Sequence, residues 1–235
     1  MSGGEGGGGG GGFVGMLKSK PARKAAFVCV MLQALQQMCG INAIVYFTPT
    51  ILREAGVSTL FSQVTSNGDA ASMLSTVIAY TPKIPALLMA MKLMDELGRR
   101  ELLTRGIPMM GASLFGLAMA FMMAEGSPLR GLLAVASVMT YGVVFVMSLG
   151  PIPSIISSEI FPAEHRAAGM SVSVSAQWAF NALVSTAFPI LQHRLGTQAV
   201  LYLFTGVCVL AQLFTLAFVP ETKGKTMEEM EELMS

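Results

Sequence analysis

Charged residues are scarce in this chain, and their scarcity argues against a soluble globular fold. Asp, Glu, Lys and Arg together make up 12% of the 235 residues, whereas they make up about 25% of an average soluble domain. Hydrophobic residues make up 53%, and the mean hydropathy is +0.62. Such a composition, spread over long apolar runs, predicts an integral membrane protein surrounded by the lipid bilayer. The net charge of +1 gives no reason to expect a nucleic-acid partner.

Cysteine and histidine are also rare, which argues against metal, disulfide and redox chemistry. Cys29, Cys39 and Cys208 all fall in apolar stretches, and none has the spacing of a metal ligand. They are expected to be small buried hydrophobic residues. His165 and His193 lie in predicted loops without partners, and the sequence shows no hydrolytic constellation. We therefore expect no metal, no cofactor and no enzymatic activity.

Six apolar segments are each long enough to cross a bilayer, which takes about 20 residues of helix. The predicted spans are about 25–52, 70–94, 102–124, 129–158, 167–191 and 198–219. Residues 1–21 are predicted to be a glycine-rich disordered leader with the start of a basic collar, and residues 220–235 a cytosolic tail that ends in an acidic helix. The expected fold class is therefore an all-α integral membrane domain of six transmembrane helices at 22–219.

The positive charges predict how the spans are oriented. Arg53, Arg130 and Arg194 lie on one side of the predicted spans and Lys83 lies in mid-span, while the other eleven of the 15 Lys and Arg residues lie on the opposite side. Cytosolic loops carry the excess of positive charge. This second side also holds both termini, so both termini are expected in the cytosol.

The first predicted span carries amides at membrane depth. Gln33, Gln36 and Gln37 share one helical face, but Asn42 lies half a turn away from Gln33. All four can face one cavity only if the helix unwinds between them, and Gly40 is the residue that would allow it. From the residues alone, the amides either line a wet substrate cavity or bind this helix to its neighbours.

The fifth predicted span carries the only tryptophan of the chain, Trp178, three residues before Asn181. Trp178 lies in mid-span, away from the interfacial positions where tryptophan is usual. A tryptophan beside an asparagine is a common way to hold a sugar, because the ring face stacks on the sugar and the amide binds hydroxyls. Helix packing explains the pair about as well, because the same face carries small residues.

Two of the predicted spans have unusual residues: the fourth contains a Gly-Pro segment, and the second carries a lysine between two prolines. Gly150, Pro151 and Pro153 break the fourth span, either as a hinge that exposes backbone to a cavity or as a structural kink. Lys83 of the second span lies too deep to reach the headgroups comfortably, at a cost of at least about 2.5–3.5 kcal/mol. We expect Lys83 to line the substrate cavity. The alternatives are a neutral amine, a carboxylate partner on another half or chain, or a membrane boundary nearer to Lys83.

Four motif regions in order resemble those of the sugar porter family of the major facilitator superfamily. They are QQMCGIN at 36–42 with YF at 46–47, DELGRR at 95–100, GPIP at 150–153 with SEIFP at 158–162, and PETKG at 220–224. The resemblance covers about residues 22–232 and is closest to the tonoplast monosaccharide transporter group. It implies helices seven to twelve of a twelve-helix transporter, with a missing N-terminal six-helix half as the partner.

The resemblance implies a role for each matching position. The expected substrate-binding residues are Gln36, Gln37, Asn42, Lys83, Trp178 and Asn181. The expected gate residues are Tyr46, Phe47, Gly150, Pro151 and Pro153. The expected cytosolic ion-pair latch consists of Arg99, Arg100, Glu159, Arg166 and Glu221. Simple anchoring on the cytosolic side explains Arg99 nearly as well.

These observations predict transport of a monosaccharide, a hexose, by alternating access. The resemblance implies that coupling to protons depends on an acid in the first helix of the family, and it favours the vacuolar membrane over the plasma membrane. Departures from the family pattern at Phe47, Lys83, Val146 and Ser154 bear on sugar preference and coupling. The alternatives are a six-helix sugar sensor or assembly subunit that does not transport, or an inactive fragment.

Overall fold

A computed structural model describes residues 12–60 and 67–234, and these residues form helices connected by short turns. The helices are α1 (Phe13–Lys18), α2 (Lys20–Met38), α3 (Ile41–Glu54), α4 (Gly68–Tyr80), α5 (Lys83–Leu97), α6 (Arg99–Ala120), α7 (Pro128–Met147), α8 (Ile152–Ile160), α9 (Arg166–Leu195), α10 (Thr197–Phe218) and α11 (Met227–Met234). A short 3₁₀ turn, Val57–Thr59, follows α3. The all-α fold class is confirmed.

Six helical units have the length of a membrane span. Three of them, α6, α9 and α10, are single helices, and the other three are broken pairs, α2–α3, α4–α5 and α7–α8. Within the described ranges, five units are long and apolar enough to cross a membrane, with 35, 30, 22, 33 and 22 residues. The sixth unit is α9, which has 30 residues but is more polar, because serine and amide side chains recur along its length.

The predicted break at Gly40 is confirmed. Gly40 separates α2 from α3 and has a left-handed backbone with φ of 87°. It also has no room for a side chain, because a Cβ there would overlap the ring of Phe204 in α10. The Tyr141 hydroxyl of α7 donates to the carbonyl oxygen of Cys39 at 3.0 Å, so this freed backbone acceptor is satisfied.

The predicted break in the fourth span is confirmed, and the second span contains a further break. Helix α7 ends at Met147 and α8 begins at Ile152, so the Gly-Pro segment lies between them. In the second span, α4 ends at Tyr80 and α5 begins at Lys83, one residue after Pro82. Lys83 lies between two prolines in the sequence, but a break of the helix at this point was not predicted.

Both ends of the described chain pack against the membrane-spanning helices. The predicted disordered leader lies mostly in residues 1–11, which are outside the described residues. Residues 13–18 form α1, and Met16 is buried, which composition did not predict. The acidic tail helix is present as α11, and it buries Met230 and Met234 in the common hydrophobic core. We call the surface where α2 and α6 begin and α8 and α10 end the tail face.

Replacing Gly40 with alanine tests the break. We expect Gly40→Ala to destabilise the protein by about 2–4 kcal/mol, because the left-handed backbone and the Phe204 ring both oppose a Cβ. The thermal unfolding midpoint in detergent micelles measures the loss. Gly206→Ala in α10 is the matched control, because nothing lies within 4 Å of its added Cβ. The control should be neutral or slightly stabilising, and equal losses for both variants would contradict the expectation.

Candidate functional site

A polar groove of about 450 Å³ opens at mid-depth between the broken spans and α9. The sequence-predicted residues that line it are Gln36, Gln37, Asn42, Tyr46, Gly150, Pro151, Trp178 and Asn181. The groove therefore brings together positions from α2, α3, the α7–α8 break and α9. These positions are as far as 145 residues apart in the chain, and the breaks are what allow them to share one wall.

Four amides form a continuous hydrogen-bonded chain in this groove. Asn42 Nδ2 donates to Gln37 Oε1 across the Gly40 break. Gln37 Nε2 in turn donates to Gln36 Oε1 at 3.3 Å. Gln177 Nε2 of α9 donates to the same Gln36 oxygen at 3.3 Å. This amide chain (Asn42, Gln37, Gln36 and Gln177) joins α3, α2 and α9 across one wall of the groove.

Gln36 also holds the break between α7 and α8. Its Nε2 lies 2.7 Å from the carbonyl oxygen of Leu149 and 2.7 Å from that of Gly150. The proline-containing segment leaves these carbonyls without helical partners, and Gln36 satisfies both. Of the two alternatives from the sequence, binding between helices is observed, because the amides that line the groove also bind the helices to one another. A substrate cavity stays a prediction.

Aromatic side chains also line the groove. Trp178 is 65% exposed, unusual for the largest apolar side chain of a packed helix, and Asn181 lies one turn further along α9. Asn181 Oδ1 accepts from Ser185 Oγ at 3.2 Å. An open indole face beside several amides suits a ligand that has apolar ring faces and many hydroxyls around its edge.

Three of the predicted substrate-binding and gate residues do not line this groove. Phe47 packs on Phe188 with ring centroids 4.9 Å apart, and Pro153 is buried in α8. Lys83 Nζ lies 3.9 Å from the centre of the Tyr80 ring, and its stem fills the space left by Gly142 of α7. The cavity role of Lys83 thus stays a prediction, and its observed contacts are a cation–π interaction and helix packing.

Gln177 was not among the residues predicted from the sequence. It lines the groove and completes the amide chain, and it is the immediate neighbour of Trp178. A glutamine in mid-span was the available signal. The apolar lining from Ile41, Leu87 and Phe145 carried no sequence signal, because such residues are common in every span.

A second cluster lies on the tail face, where one carboxylate caps a helix. Both oxygens of Glu221 accept backbone N–H groups of α6, from Arg99 at 3.0 Å and from Arg100 at 3.0 Å. Lys223 N donates to the same carboxylate at 3.0 Å. Gly98 makes this approach possible, because a Cβ at Gly98 would lie 2.7 Å from Glu221 Oε2. The positive end of the helix dipole also favours an anion here.

The same cluster joins α6 to α8. Arg99 Nη2 lies 2.9 Å from Glu159 Oε1, and Thr222 Oγ1 donates to Glu159 Oε2. Arg100 uses its guanidinium differently and donates to the carbonyl oxygen of Leu216 at 2.8 Å. Arg166 begins α9. Four of the predicted latch residues, Arg99, Arg100, Glu159 and Glu221, therefore meet in one cluster, and the structure adds Thr222 to it.

A larger cavity, of about 990 Å³, lies at the ends of the spans opposite the tail face, and we do not assign it as the site. It contains none of the sequence-predicted site residues. Its main polar groups bind one another, because Thr197 Oγ1 donates to Glu54 Oε2 at 2.6 Å. Arg130 Nη2 lies 2.9 Å from the carbonyl oxygen of Glu54. These bonds fasten the end of α3 to the start of α10 and to α7.

Fold and groove together define a polytopic helical membrane protein with a mid-depth groove lined by amides and a tryptophan. The chain belongs to the sugar transporter family, because the model of that family, "Sugar (and other) transporter", matches residues 4–234. The chain is 37% identical over 213 residues to monosaccharide-sensing protein 2 of Arabidopsis thaliana, a match that covers 91% of this chain and 29% of the relative. It is 34% identical to the D-xylose-proton symporter of Escherichia coli K12, covering 87% of this chain and 40% of the relative.

Solved structures show the same fold. The xylose transporter of E. coli in its inward-open conformation matches with a TM-score of 0.74 and 31% identity, over 89% of this chain and 42% of that one. A double tryptophan mutant of the same transporter matches with a TM-score of 0.75 and 32% identity, over 90% of this chain and 43% of that one. The chain thus spans less than half the length of the relatives it matches. The predicted recognition as part of a sugar porter is confirmed.

The Glu221 cap predicts how stability depends on pH. Burial raises the pKa of the Glu221 carboxyl, but donation from the backbone N–H groups of Lys223, Arg99, Arg100 and Thr222 outweighs it and leaves the pKa below the ordinary 4.5. A depressed pKa contributes stability that is complete above 4.5 and is lost as the pH falls through the lower folded value. Glu221→Gln should therefore be less stable than the wild type near neutral pH, and the difference should shrink at acidic pH.

Thermal unfolding midpoints across the acidic range measure this difference. Glu231→Gln, on the exposed side of α11, is the control, and its midpoint should follow the wild type at every pH. If the difference in unfolding midpoint between Glu221→Gln and the wild type stays constant down to the lowest pH, protonation of Glu221 does not change the stability of the protein, and the expectation is contradicted.

Proposed function

We propose that this chain forms one six-helix half of a monosaccharide transporter that works by alternating access and carries a hexose. The observation that carries the proposal is the mid-depth groove, which is lined by the amide chain and by the exposed Trp178. Transporters of this architecture bind substrate near the bilayer midplane at broken helices, between two halves that rock against each other. The second half would form the facing wall.

The names of the relatives support this substrate class. They include monosaccharide-sensing proteins 1, 2 and 3 of Arabidopsis thaliana and the D-xylose-proton and galactose-proton symporters of Escherichia coli. A further solved structure of the xylose symporter, with TM-score 0.73 and 32% identity over 89% of this chain and 42% of that one, holds 6-bromo-6-deoxy-D-glucose. These are all monosaccharide proteins, which supports a monosaccharide as ligand here.

The residues then have the following proposed roles. Gln36, Gln37, Asn42 and Asn181 would bind sugar hydroxyls, and Trp178 would stack on the sugar ring. Helix α3 would move about Gly40 with Tyr46 as its gate residue, and the α7–α8 segment at 150–153 would move opposite to it. The cluster around Glu159 and Glu221 would hold the tail face closed in one state. Lys83 would act from beside the groove rather than within it.

Separate observations support the proposed proton coupling, the orientation of the chain in the membrane and the membrane in which it lies. Two of the relatives are proton symporters, which supports proton coupling, and the family resemblance puts the coupling acid in the other half. The excess of Lys and Arg on the tail face supports cytosolic termini. The resemblance to tonoplast transporters supports the vacuolar membrane.

The single tryptophan provides a direct binding assay. We expect D-glucose or D-xylose to change the emission of Trp178, because a sugar stacked on the indole displaces water from an exposed ring. L-glucose should have a much smaller effect. Asn42→Ala should weaken binding roughly threefold to tenfold, the effect of losing one hydrogen bond. Gln198→Ala, an amide in α10 outside the groove, should leave the affinity unchanged.

Flux in proteoliposomes distinguishes transport from binding. We expect sugar uptake when the chain is reconstituted with a co-expressed N-terminal half of a family member, and Trp178→Ala should reduce uptake at low sugar concentration most strongly. Sugar binding without flux under the same conditions would instead support a non-transporting sensor. Absence of both, in protein whose thermal unfolding is intact, would contradict the proposal.

A further inference from the structure

The tail face carries exposed positive side chains that no carboxylate of the described chain neutralises. Lys18 ends α1, and Lys20 and Arg23 lie in the first turn of α2. All three side chains are exposed, and none takes part in an ion pair among residues 12–60 and 67–234. By contrast, Arg99 on the same face is bound to Glu159. The three charges can therefore bind an anion from outside the chain.

Two of these cations share a face of α2 with an exposed aromatic ring. Phe27 lies four residues after Arg23 and seven after Lys20, so the three side chains follow one stripe of the helix. Phe27 packs edge-on against Phe214 and Phe218 of α10, with ring centroids 6.0 and 5.8 Å away. Phe27 and Phe218 nonetheless remain 50% and 54% exposed. Exposed rings near the ends of two membrane spans are expected to face lipid.

The spacing along α2 matches the layers of one bilayer leaflet. At 1.5 Å per residue, Arg23 lies about 6 Å and Lys20 about 10 Å beyond Phe27 toward the tail face. The headgroup layer on each side of the hydrocarbon core is about 5–8 Å thick. When Phe27 lies at the edge of the hydrocarbon, the two cations lie at the level of the headgroups or just above it. Their long side chains can then reach a lipid phosphate.

Helix α1 places apolar side chains next to the same cations. It packs against α2 and α9 and buries Met16, but Phe13, Val14 and Leu17 are exposed. Lys18 follows directly in the sequence. An exposed apolar face beside positive charges is typical of helices that lie in the membrane interface. Helix α1 is therefore expected to lie on the leaflet whose headgroups surround the start of α2.

The acidic helix α11 leaves the stripe of Lys20, Arg23 and Phe27 open. It packs against α2 and α8, whereas the stripe adjoins the end of α10 through the ring of Phe218. Lys24 also lies near the stripe, but it interacts within the protein and is not counted among the available charges. The stripe thus presents two cations above an apolar aromatic surface.

We propose that this stripe binds an anionic phospholipid, with the phosphate held by Lys20 and Arg23 and an acyl chain lying on Phe27 and Phe218. A soluble anion would satisfy the charges but would make no use of the exposed rings. A zwitterionic lipid carries its own ammonium beside the phosphate, and this ammonium competes with the two side chains. A lipid with a net negative charge suits both parts of the stripe, and each cation contributes roughly fivefold to its affinity.

Native mass spectrometry of the full chain, released from detergent micelles with added lipid, tests the proposal. We expect the first molecule of phosphatidylglycerol to bind roughly tenfold to 25-fold more tightly than phosphatidylcholine with the same acyl chains, because two cations contribute. Glycerol 3-phosphate, which has the phosphate but no acyl chains, should not displace the lipid. Equal binding of the two lipids, or displacement by glycerol 3-phosphate, would overturn the proposal.

Matched charge variants locate the site. Arg23→Gln should lower the affinity for phosphatidylglycerol roughly fivefold, and the double variant Lys20→Gln/Arg23→Gln should bind it no better than phosphatidylcholine. Arg194→Gln removes an exposed cation from the last turn of α9, at the opposite end of the spans, and should bind like the wild type. The substituted side chains are exposed, so thermal unfolding should be unchanged. Equal losses in Arg23→Gln and Arg194→Gln, or a double variant that keeps the lipid preference, would contradict the site.

Discussion

A bilayer core has no water to bind backbone groups, and this constraint accounts for much of the side-chain hydrogen bonding in this protein. At the Gly40 break and at the α7–α8 break, carbonyls lack helical donors, and a side chain from another helix binds them. Tyr141 binds the carbonyl of Cys39 beside the Gly40 break. Gln36 binds the two carbonyls at the α7–α8 break. At both breaks, the hydrogen bond that satisfies the free carbonyl therefore also attaches the broken span to a neighbouring helix.

In the proposed mechanism, the hydrogen bonds of Gln36 connect the groove to the helix segments that would move. Gln36 donates to the α7–α8 break and accepts from both Gln37 and Gln177, so most of its hydrogen-bonding capacity is used within the protein. A sugar hydroxyl that binds Gln36 has to replace one of these internal bonds. Ligand binding would therefore loosen an attachment between α2 and a neighbouring helix, which is how a ligand comes to favour one conformation over another.

The sequence predicted the spans and two of the breaks because both depend on local chemistry. Apolar length identifies a span, and Gly40 and the Gly-Pro segment at 150–153 identify breaks. Most of the groove lining also followed, because amides and a tryptophan in mid-span are rare enough to single out. Gln177 has the same kind of signal, but its contact with Gln36 joins residues 141 positions apart, and no pattern within α9 predicts it.

Contacts between distant residues could not be predicted in this way. Lys83 was expected in the cavity because a lysine at that depth needs polar surroundings, but its position depends on a missing side chain at Gly142, 59 residues later. The burial of Met230 and Met234 likewise depends on where α11 meets α2 and α8. Such pairings arise only when the helices are assembled, and the pattern within one helix carries no information about them.

The cap on α6 has a consequence for how the protein is made. Glu221 lies 121 positions after Arg100, so the first turn of α6 has no carboxylate acceptor while the ribosome is still producing the later spans. Its amide hydrogens are bound by Glu221 only when α10 has been inserted and the segment after it has returned to the same surface. Synthesis of the segment that contains Glu221 therefore stabilises the start of α6, which was made much earlier. A shorter nascent chain that lacks Glu221 leaves the first backbone N–H groups of its third span without this acceptor.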